Sequence, residues 1–323
     1  MLGSILALAS AALFGLNSAS IRRGVLTGSI LHALAITVPL GVPLFALAYV
    51  ASGGLQSPSS LSYSGWVWFA LAGVVHFAFG RYGNYRAMRA VGAAQAAPMQ
   101  QISIPVSIGL ALFFLDETLS MLRLAGILLV MIGPMVAILR PAGNSAVAKP
   151  FGFRPAYREG LFWGTAGAIA YGVSPLLIMK GLGSNSGLTD ILAGGLISYS
   201  AAAIVILAVV LAVGGRSFLR QLDRKAGKWF LLSTVLVFLS QICRYMALAI
   251  APISVVVPIQ RMSIIFRVIF GWIFNREHEV FGSRLLLGMA MSLIGAITLT
   301  LSTEFVQLIL PSEWASFLAL EWP

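Results

Sequence analysis

Long apolar blocks alternate along this chain with short polar, glycine-rich or proline-rich breaks. A membrane-crossing helix needs roughly 20 mostly apolar residues. By that measure the blocks predict ten spans, at approximately 2–21, 30–51, 65–86, 93–115, 121–139, 159–179, 189–214, 228–249, 253–275 and 284–303. Ser57-Pro58-Ser59-Ser60 separates the second span from the third. The segment Pro141–Arg158 is polar, carries Lys149, Arg154 and Arg158, and is the one stretch suited to a linker. It divides the chain into a first half at 1–140, a linker at 141–158 and a second half at 159–303. The tail at 304–323 contains Pro311-Ser312, which can open a short interfacial helix presenting Trp314, Phe317 and Leu318 to the membrane.

The two halves repeat one another. Gly3, Ala7, Ala11 and Gly15 align with Gly160, Gly164, Ala168 and Gly172, a stripe of small residues that lets helices approach closely in lipid. Arg23-Gly24 aligns with Lys180-Gly181, Tyr85 with Tyr245, Ala87 with Ala247 and Glu117 with Glu277, and Gly126 and Gly133 align with Gly288 and Gly295. Polar and glycine matches in one register set this apart from chance likeness between apolar segments. Five spans per repeat is an odd number, so the second copy must lie inverted relative to the first.

Composition and charge sharpen that picture. Hydrophobic residues are 59% of the 323 and charged residues only 10%, against about 25% charged in an average globular domain. The fold class is therefore an all-α polytopic membrane protein, with ten transmembrane helices as two inverted five-helix repeats. The net charge of +11 reflects basic loops and gives no ground for a nucleic-acid partner. The inverted arrangement gathers fifteen of the 21 Lys and Arg on one face: Arg22, Arg23, Arg86, Arg89, Arg140, Lys149, Arg154, Arg158, Arg216, Arg220, Arg224, Lys225, Lys228, Arg276 and Arg284. Only Arg123 and Lys180 fall on the other, and four arginines lie within spans. The positive-inside rule makes the basic face cytoplasmic, so a cell (inner) membrane location with both termini extracytoplasmic is expected. The single cysteine, Cys243, excludes an intrachain disulfide. No cleavable signal peptide is expected, because no basic residue precedes the first apolar run and Arg22-Arg23 follow it.

Each repeat thus carries a Tyr-x-Ala turn, a Pro-x-Gln helix, a glutamate at the end of that helix and a following Gly-x6-Gly span. This doubled, ordered set resembles EamA-type members of the drug/metabolite transporter superfamily, over roughly 3–140 and 159–303. The resemblance implies a basket of ten helices around a central cavity, moving small metabolites by alternating access. The intramembrane arginines and the tail depart from the usual pattern.

Inverted repeats place a site near the bilayer midplane, where discontinuous helices of both halves meet. Pro98-Met99-Gln100-Gln101-Ile102-Ser103 and Pro258-Ile259-Gln260-Arg261-Met262-Ser263, 160 positions apart, fit that description. Each proline removes an N–H and displaces the carbonyl four residues earlier, breaking its helix. A proline kink alone does not account for the row of amides and hydroxyls that follows: Gln100, Gln101 and Ser103 in one copy, Gln260, Arg261 and Ser263 in the other. Arg261 stands about nine residues into its span, roughly 13 Å at 1.5 Å per residue, close to the middle of the hydrocarbon core. An arginine keeps its proton, so it must meet water, a counter-ion or a ligand. A second doubled pattern aligns Arg81-x-x-Asn84-Tyr85 with Gln241-x-x-Arg244-Tyr245. Tyr85 and Tyr245 either line a cavity or sit in an interfacial belt. Arg244 and Arg267 either serve the site or snorkel and pair at helix ends, and His76 is either a proton-coupling group or a packing histidine. Glu117 and Glu277 are expected to pair with Arg123, Arg276 or Arg284.

No Walker-type glycine loop, metal-ligand cluster or nucleophile set is legible, so no metal, no cofactor and no enzymatic activity are expected. The leading reading is a secondary transporter, exporter or exchanger, of a small polar, anionic metabolite. Its partners are that solute and the lipid bilayer, and a homodimer is compatible with the sequence. The alternative is a flippase for a phosphorylated lipid, or a membrane-embedded enzyme acting on an anionic lipid, which intramembrane arginines would serve equally well.

Overall fold

In a bilayer every backbone N–H and C=O has to bond within the chain, which leaves helices as the building unit for apolar segments of this length. The computed structural model describes residues 1–56, 59–91, 96, 99–138, 156–182, 186–274, 283–300 and 321–322. These are helical almost throughout. In chain order the helices are α1 Leu2–Thr27, α2 Ile30–Thr37, α3 Gly41–Ala51, α4 Tyr63–Gly73, α5 Arg81–Val91, α6 Ser103–Leu115, α7 Met121–Ile138, α8 Tyr157–Gly181, α9 Leu188–Val213, α10 Gly215–Arg220, α11 Arg224–Ile250, α12 Ile253–Arg261, α13 Ser263–Phe274 and α14 Ser283–Thr300. Among the described residues six stretches are long and apolar enough to cross a membrane: Leu2–Val25, Ile30–Ala51, Tyr63–Ala90, Tyr157–Gly181, Leu188–Val213 and Arg224–Ile250. The outer surface presents large apolar side chains such as Phe113, Leu211, Leu47 and Phe162, a surface suited to lipid.

Helix starts are set by local polar groups. Ser29 accepts from His32 N at 3.1 Å, Ser62 from Gly65 N at 3.1 Å and Asp223 from Ala226 N at 3.3 Å, each satisfying an orphan donor of the first turn. Asp190, which the sequence puts at the start of a span, is buried and accepts from Gly187 N at 3.0 Å and Ser60 N at 2.7 Å.

The elements differ from the sequence expectation in four places. The second span is two helices, because Pro39 interrupts the ladder between α2 and α3. Between α4 and α5 the helix widens into a π-helical segment over Val74–Gly80, which carries His76. The ninth span breaks at Met262 rather than at Pro258, which lies inside α12. In the first half the corresponding turn is Gln101–Ile102, while Pro98 lies outside the described residues. Finally, Glu321–Trp322 pairs antiparallel with Leu119–Ser120, returning the end of the chain to the loop after α6. Residues 141–155 of the expected linker, Arg276, Glu277 and the expected interfacial helix of the tail lie outside the described residues, while Tyr157 and Arg158, at the linker's end, already belong to α8.

Packing joins the halves rather than separating them. The most extensive contacts are α1 with α11 and α7 with α14, followed by α5 with α8 and α1 with α13. Small residues make these approaches: a Cβ on Gly126 would lie 2.9 Å from Gly295 O, and one on Gly295 would lie 2.7 Å from Gly126 O. The interior enclosed by these pairs holds buried polar groups, among them Arg81, Arg244, His76, Gln241 and Ser240.

Candidate functional site

Where α1, the π-helical segment, α8, α11 and the α12–α13 break converge, they enclose a cavity with about 420 Å³ of empty space, its mouth included. The first half contributes Ser10, Phe14 and His76, and the second contributes Tyr171, Pro175, Ser240, Gln241, Arg244, Val257, Gln260, Arg261 and Ser263.

The wall on the α1 side is built by serines. Ser10 Oγ donates to Ser240 O at 2.8 Å and Ser240 Oγ donates to Ser10 O at 2.9 Å, clamping α1 to α11 inside the membrane. Gln260 Nε2 donates to Ser10 Oγ at 3.2 Å and so ties α12 to the same crossing. The crossing of α5 with α8 closes differently, with Gly83 and Gly167 in backbone contact.

Arg244 is almost fully buried and held by neutral groups only. Its Nη1 lies 3.0 Å from His76 Nδ1, 3.1 Å from His76 Nε2 and 3.3 Å from Gln241 Oε1, and its Nη2 donates to Ser174 Oγ at 3.0 Å. Snorkelling to an interface is therefore not its role. Arg261 stands at the C-terminal end of α12, with its guanidinium 5.3 Å from the centre of the Tyr171 ring and its Nε without a hydrogen-bond partner among the described residues. The Tyr171 ring also lies 4.6 Å from His76, centre to centre. Arg81 is buried behind this cluster. Its Nη2 donates to Tyr199 OH at 3.0 Å, its guanidinium sits 4.8 Å from the Phe77 ring centre, and its Nε and Nη1 have no partner among the described residues. Among those residues no carboxylate forms an ion pair with Arg81, Arg244 or Arg261. Donors, three of them permanently charged, far outnumber acceptors here.

Of the residues singled out from sequence, His76, Gln241, Arg244, Gln260, Arg261 and Ser263 meet at the cavity. The others stand apart from it. Gln101 Nε2 is directed at Val130 O on α7 at 3.4 Å, and Gln100 Nε2 at Gly164 O on α8 at 3.5 Å. Ser103 Oγ bonds back to Gln100 O at 2.7 Å. Tyr245 is buried between Phe45 and Phe69, and Tyr85 and Asn84 are likewise buried in helix contacts. Arg267 Nη1 lies 3.7 Å from Met88 Sδ. Tyr171, Ser10, Ser240 and Ser174 were not anticipated.

Glu117 has partners that the sequence did not suggest. It bonds to the backbone at the start of α12, accepting from Ile253 N at 2.7 Å and Ser254 N at 3.1 Å. Two amides at a helix N-terminus offer a carboxylate directed donors and the positive end of the helix dipole together. Asp116, left-handed at φ 52°, turns the chain so that Glu117 can reach them.

Residues 1–139 match the EamA-like transporter family. Comparison with curated protein sequences finds no match. A solved structure described only as "Crystal structure of protein" is similar to this chain at a TM-score of 0.66 and 16% identity, over 92% of this chain and 95% of its own. At that identity the likeness is one of fold.

Proposed function

Residues 1–139 being an EamA domain, the domain of the drug/metabolite transporter superfamily, we propose that this multi-pass membrane protein is a secondary transporter that exports or exchanges a small polar anion. The observation that carries the reading is the charge of the cavity. Arg244 and Arg261 line it, Arg81 stands behind it, and no described carboxylate is paired with any of the three. A charged side chain at a helix centre costs about 2.5–3.5 kcal/mol on insertion scales, and arginine does not escape by losing its proton. A counter-charge delivered by the solute offsets that cost. Carboxylates, sulfonates and phosphates match the planar, forked donor of a guanidinium. Arg261 is the first ligand in this reading and Arg244 the second, with Gln241, Gln260, Ser10, Ser240 and Ser263 completing the shell. Gln101 and Gln100 do not line the cavity in this state and are left out of the shell.

Alternating access by two inverted repeats is the motion this reading requires, and three observations support it. Helix breaks fall at Gln101–Ile102 and at Met262, about 160 residues apart. Gly15 abuts Phe266, and its repeat mate Gly172 abuts Val106, the mate of Phe266. The contacts of α1 with α11 and α13 are mirrored by those of α8 with α5 and α6. An arrangement of this kind lets each half take the other's pose, opening the site to opposite sides.

Ligand-dependent thermal stability of the purified protein tests the anion reading. Glycolate, methanesulfonate and sulfate are expected to raise the Tm of the wild type, with neutral amino acids inert. A ligand at a hundred times its Kd stabilises by about 2.7 kcal/mol. Stabilisation by neutral amino acids but by none of the three anions would overturn the reading.

A further inference from the structure

Arg244 reaches His76 across the interface between the halves, its Nη1 3.0 Å from Nδ1 and 3.1 Å from Nε2. An arginine N–H only donates, so the ring nitrogen it addresses is an acceptor and the imidazole is neutral in this state. Every element packed around the ring presents its own group. Arg244 faces it from α11, Arg81 from the start of α5, Arg261 from α12 and Tyr171 from α8, with Phe77 beside it on the π-helical segment. A proton on His76 in the empty site would add a fourth positive charge to three that no described carboxylate balances. The neutral imidazole therefore holds the Arg244 N–H in the place a substrate oxygen would take.

We propose that His76 is the proton-coupling group of the transport site, so that an anion and a proton are bound and carried together. The proposal rests on the anion reading of the cavity. In the empty site a lone pair of His76 accepts from Arg244 Nη1. When an anion binds, its oxygen accepts that N–H instead, and the released ring nitrogen takes a proton from a hydronium ion of the solvent: one O–H bond breaks, leaving water, and one N–H bond forms, leaving an imidazolium. The anion supplies the negative charge that makes the imidazolium tolerable beside three guanidiniums, and by reciprocity the proton strengthens the anion's hold. A monoanion and one proton sum to zero, so the loaded and empty sites carry the same net charge and transport of a monoanion is electroneutral. The π-helical segment Val74–Gly80 suits the role: a π insertion takes a side chain out of α-helical register and is a frequent feature of functional sites.

Calorimetric titration of the detergent-solubilised full-length protein tests this, with glycolate, methanesulfonate and sulfate as probes in buffers of differing ionisation heat. These probes do not themselves titrate near neutral pH. The expected result is uptake of about one proton per anion and an affinity that falls about tenfold per pH unit above neutrality. In His76→Gln and His76→Asn the proton uptake and the pH dependence are both lost. Anion binding by the wild type with no proton uptake and a flat pH profile overturns the coupling and leaves the anion reading standing. Proton uptake that persists in both variants overturns the assignment to His76. Binding of none of the three anions overturns both readings. The proton count of the wild type decides the coupling even where one variant fails to fold, and the other variant then decides the assignment to His76.

Discussion

Tyr171 shows how single side chains set the site. Its ring centre lies 5.3 Å from the Arg261 guanidinium and 4.6 Å from the His76 ring, tilted at 51° to it, so one aromatic side chain touches both the charged ligand and the proposed proton carrier. A cation over an aromatic face is worth about 0.5–2 kcal/mol. Tyr171→Phe keeps the ring and is expected to leave anion affinity close to wild type. Tyr171→Leu removes it and is expected to weaken affinity by roughly 2- to 30-fold, read from the dose dependence of the thermal shift. Equal effects of the two substitutions would place the contribution in the hydroxyl instead. At this scale the sequence was legible in its costly residues. Arg261, Arg244 and His76 stand out because a charge or an imidazole in an apolar run needs a reason. Tyr171, Ser10 and Ser240 did not stand out, since a hydroxyl in a helix can bond to its own backbone and is common in membrane spans. Gln101 does not line the cavity, because a repeat equates positions and not surroundings. Its amide meets Val130 O on α7 while its mate Arg261 meets the cavity.

The element that organises the site is α12, nine residues from Ile253 to Arg261. Its N-terminus is held by Glu117 from the other half, and its last residues, Gln260 and Arg261, reach the cavity. Removing an N-terminal cap costs about 0.5–2 kcal/mol. Glu117→Ala is accordingly expected to lower the thermal stability of the protein, and to weaken anion binding because the whole half-helix that carries Arg261 loses its anchor. Glu117→Gln, which keeps one acceptor oxygen, is expected to fall between. A Glu117→Ala protein with unchanged Tm and unchanged anion affinity would contradict this role. Sequence showed a glutamate closing a helix and suggested a nearby basic side chain as partner. Backbone amides 136 and 137 residues away leave no local signature, and only the packing of α6 against α12 brings them together. The helix break was legible as a feature, through the proline and the polar row, yet its position at Met262 was not. Proline displaces a bond one turn upstream, and the surrounding helices decide where the chain turns.

Over the whole molecule, what could be read from sequence was what lipid dictates. Apolar length marks the helices, six of them long and apolar enough to cross a membrane among the described residues. Which helices touch depends on close approach at positions such as Gly126 and Gly295, and single-chain patterning does not record it. The pairing of Trp322 with Leu119 likewise joins the tail to the loop after α6, a contact between segments that share no pattern. If the halves are inverted with the basic face in the cytoplasm, a tag following Pro323 is accessible from the extracytoplasmic side, and strictly cytoplasmic labelling would contradict that orientation. Transport of an anion past Arg261 is the function proposed for the two halves. Its most direct test is initial uptake of radiolabelled glycolate, methanesulfonate and sulfate into proteoliposomes at low solute concentration, comparing wild type with Arg261→Gln. Hydrogen bonds to a charged group are worth about 1.5–3 kcal/mol, so the substitution is expected to slow uptake by roughly 10- to 150-fold. Anion uptake that proceeds unchanged in Arg261→Gln would contradict the claim.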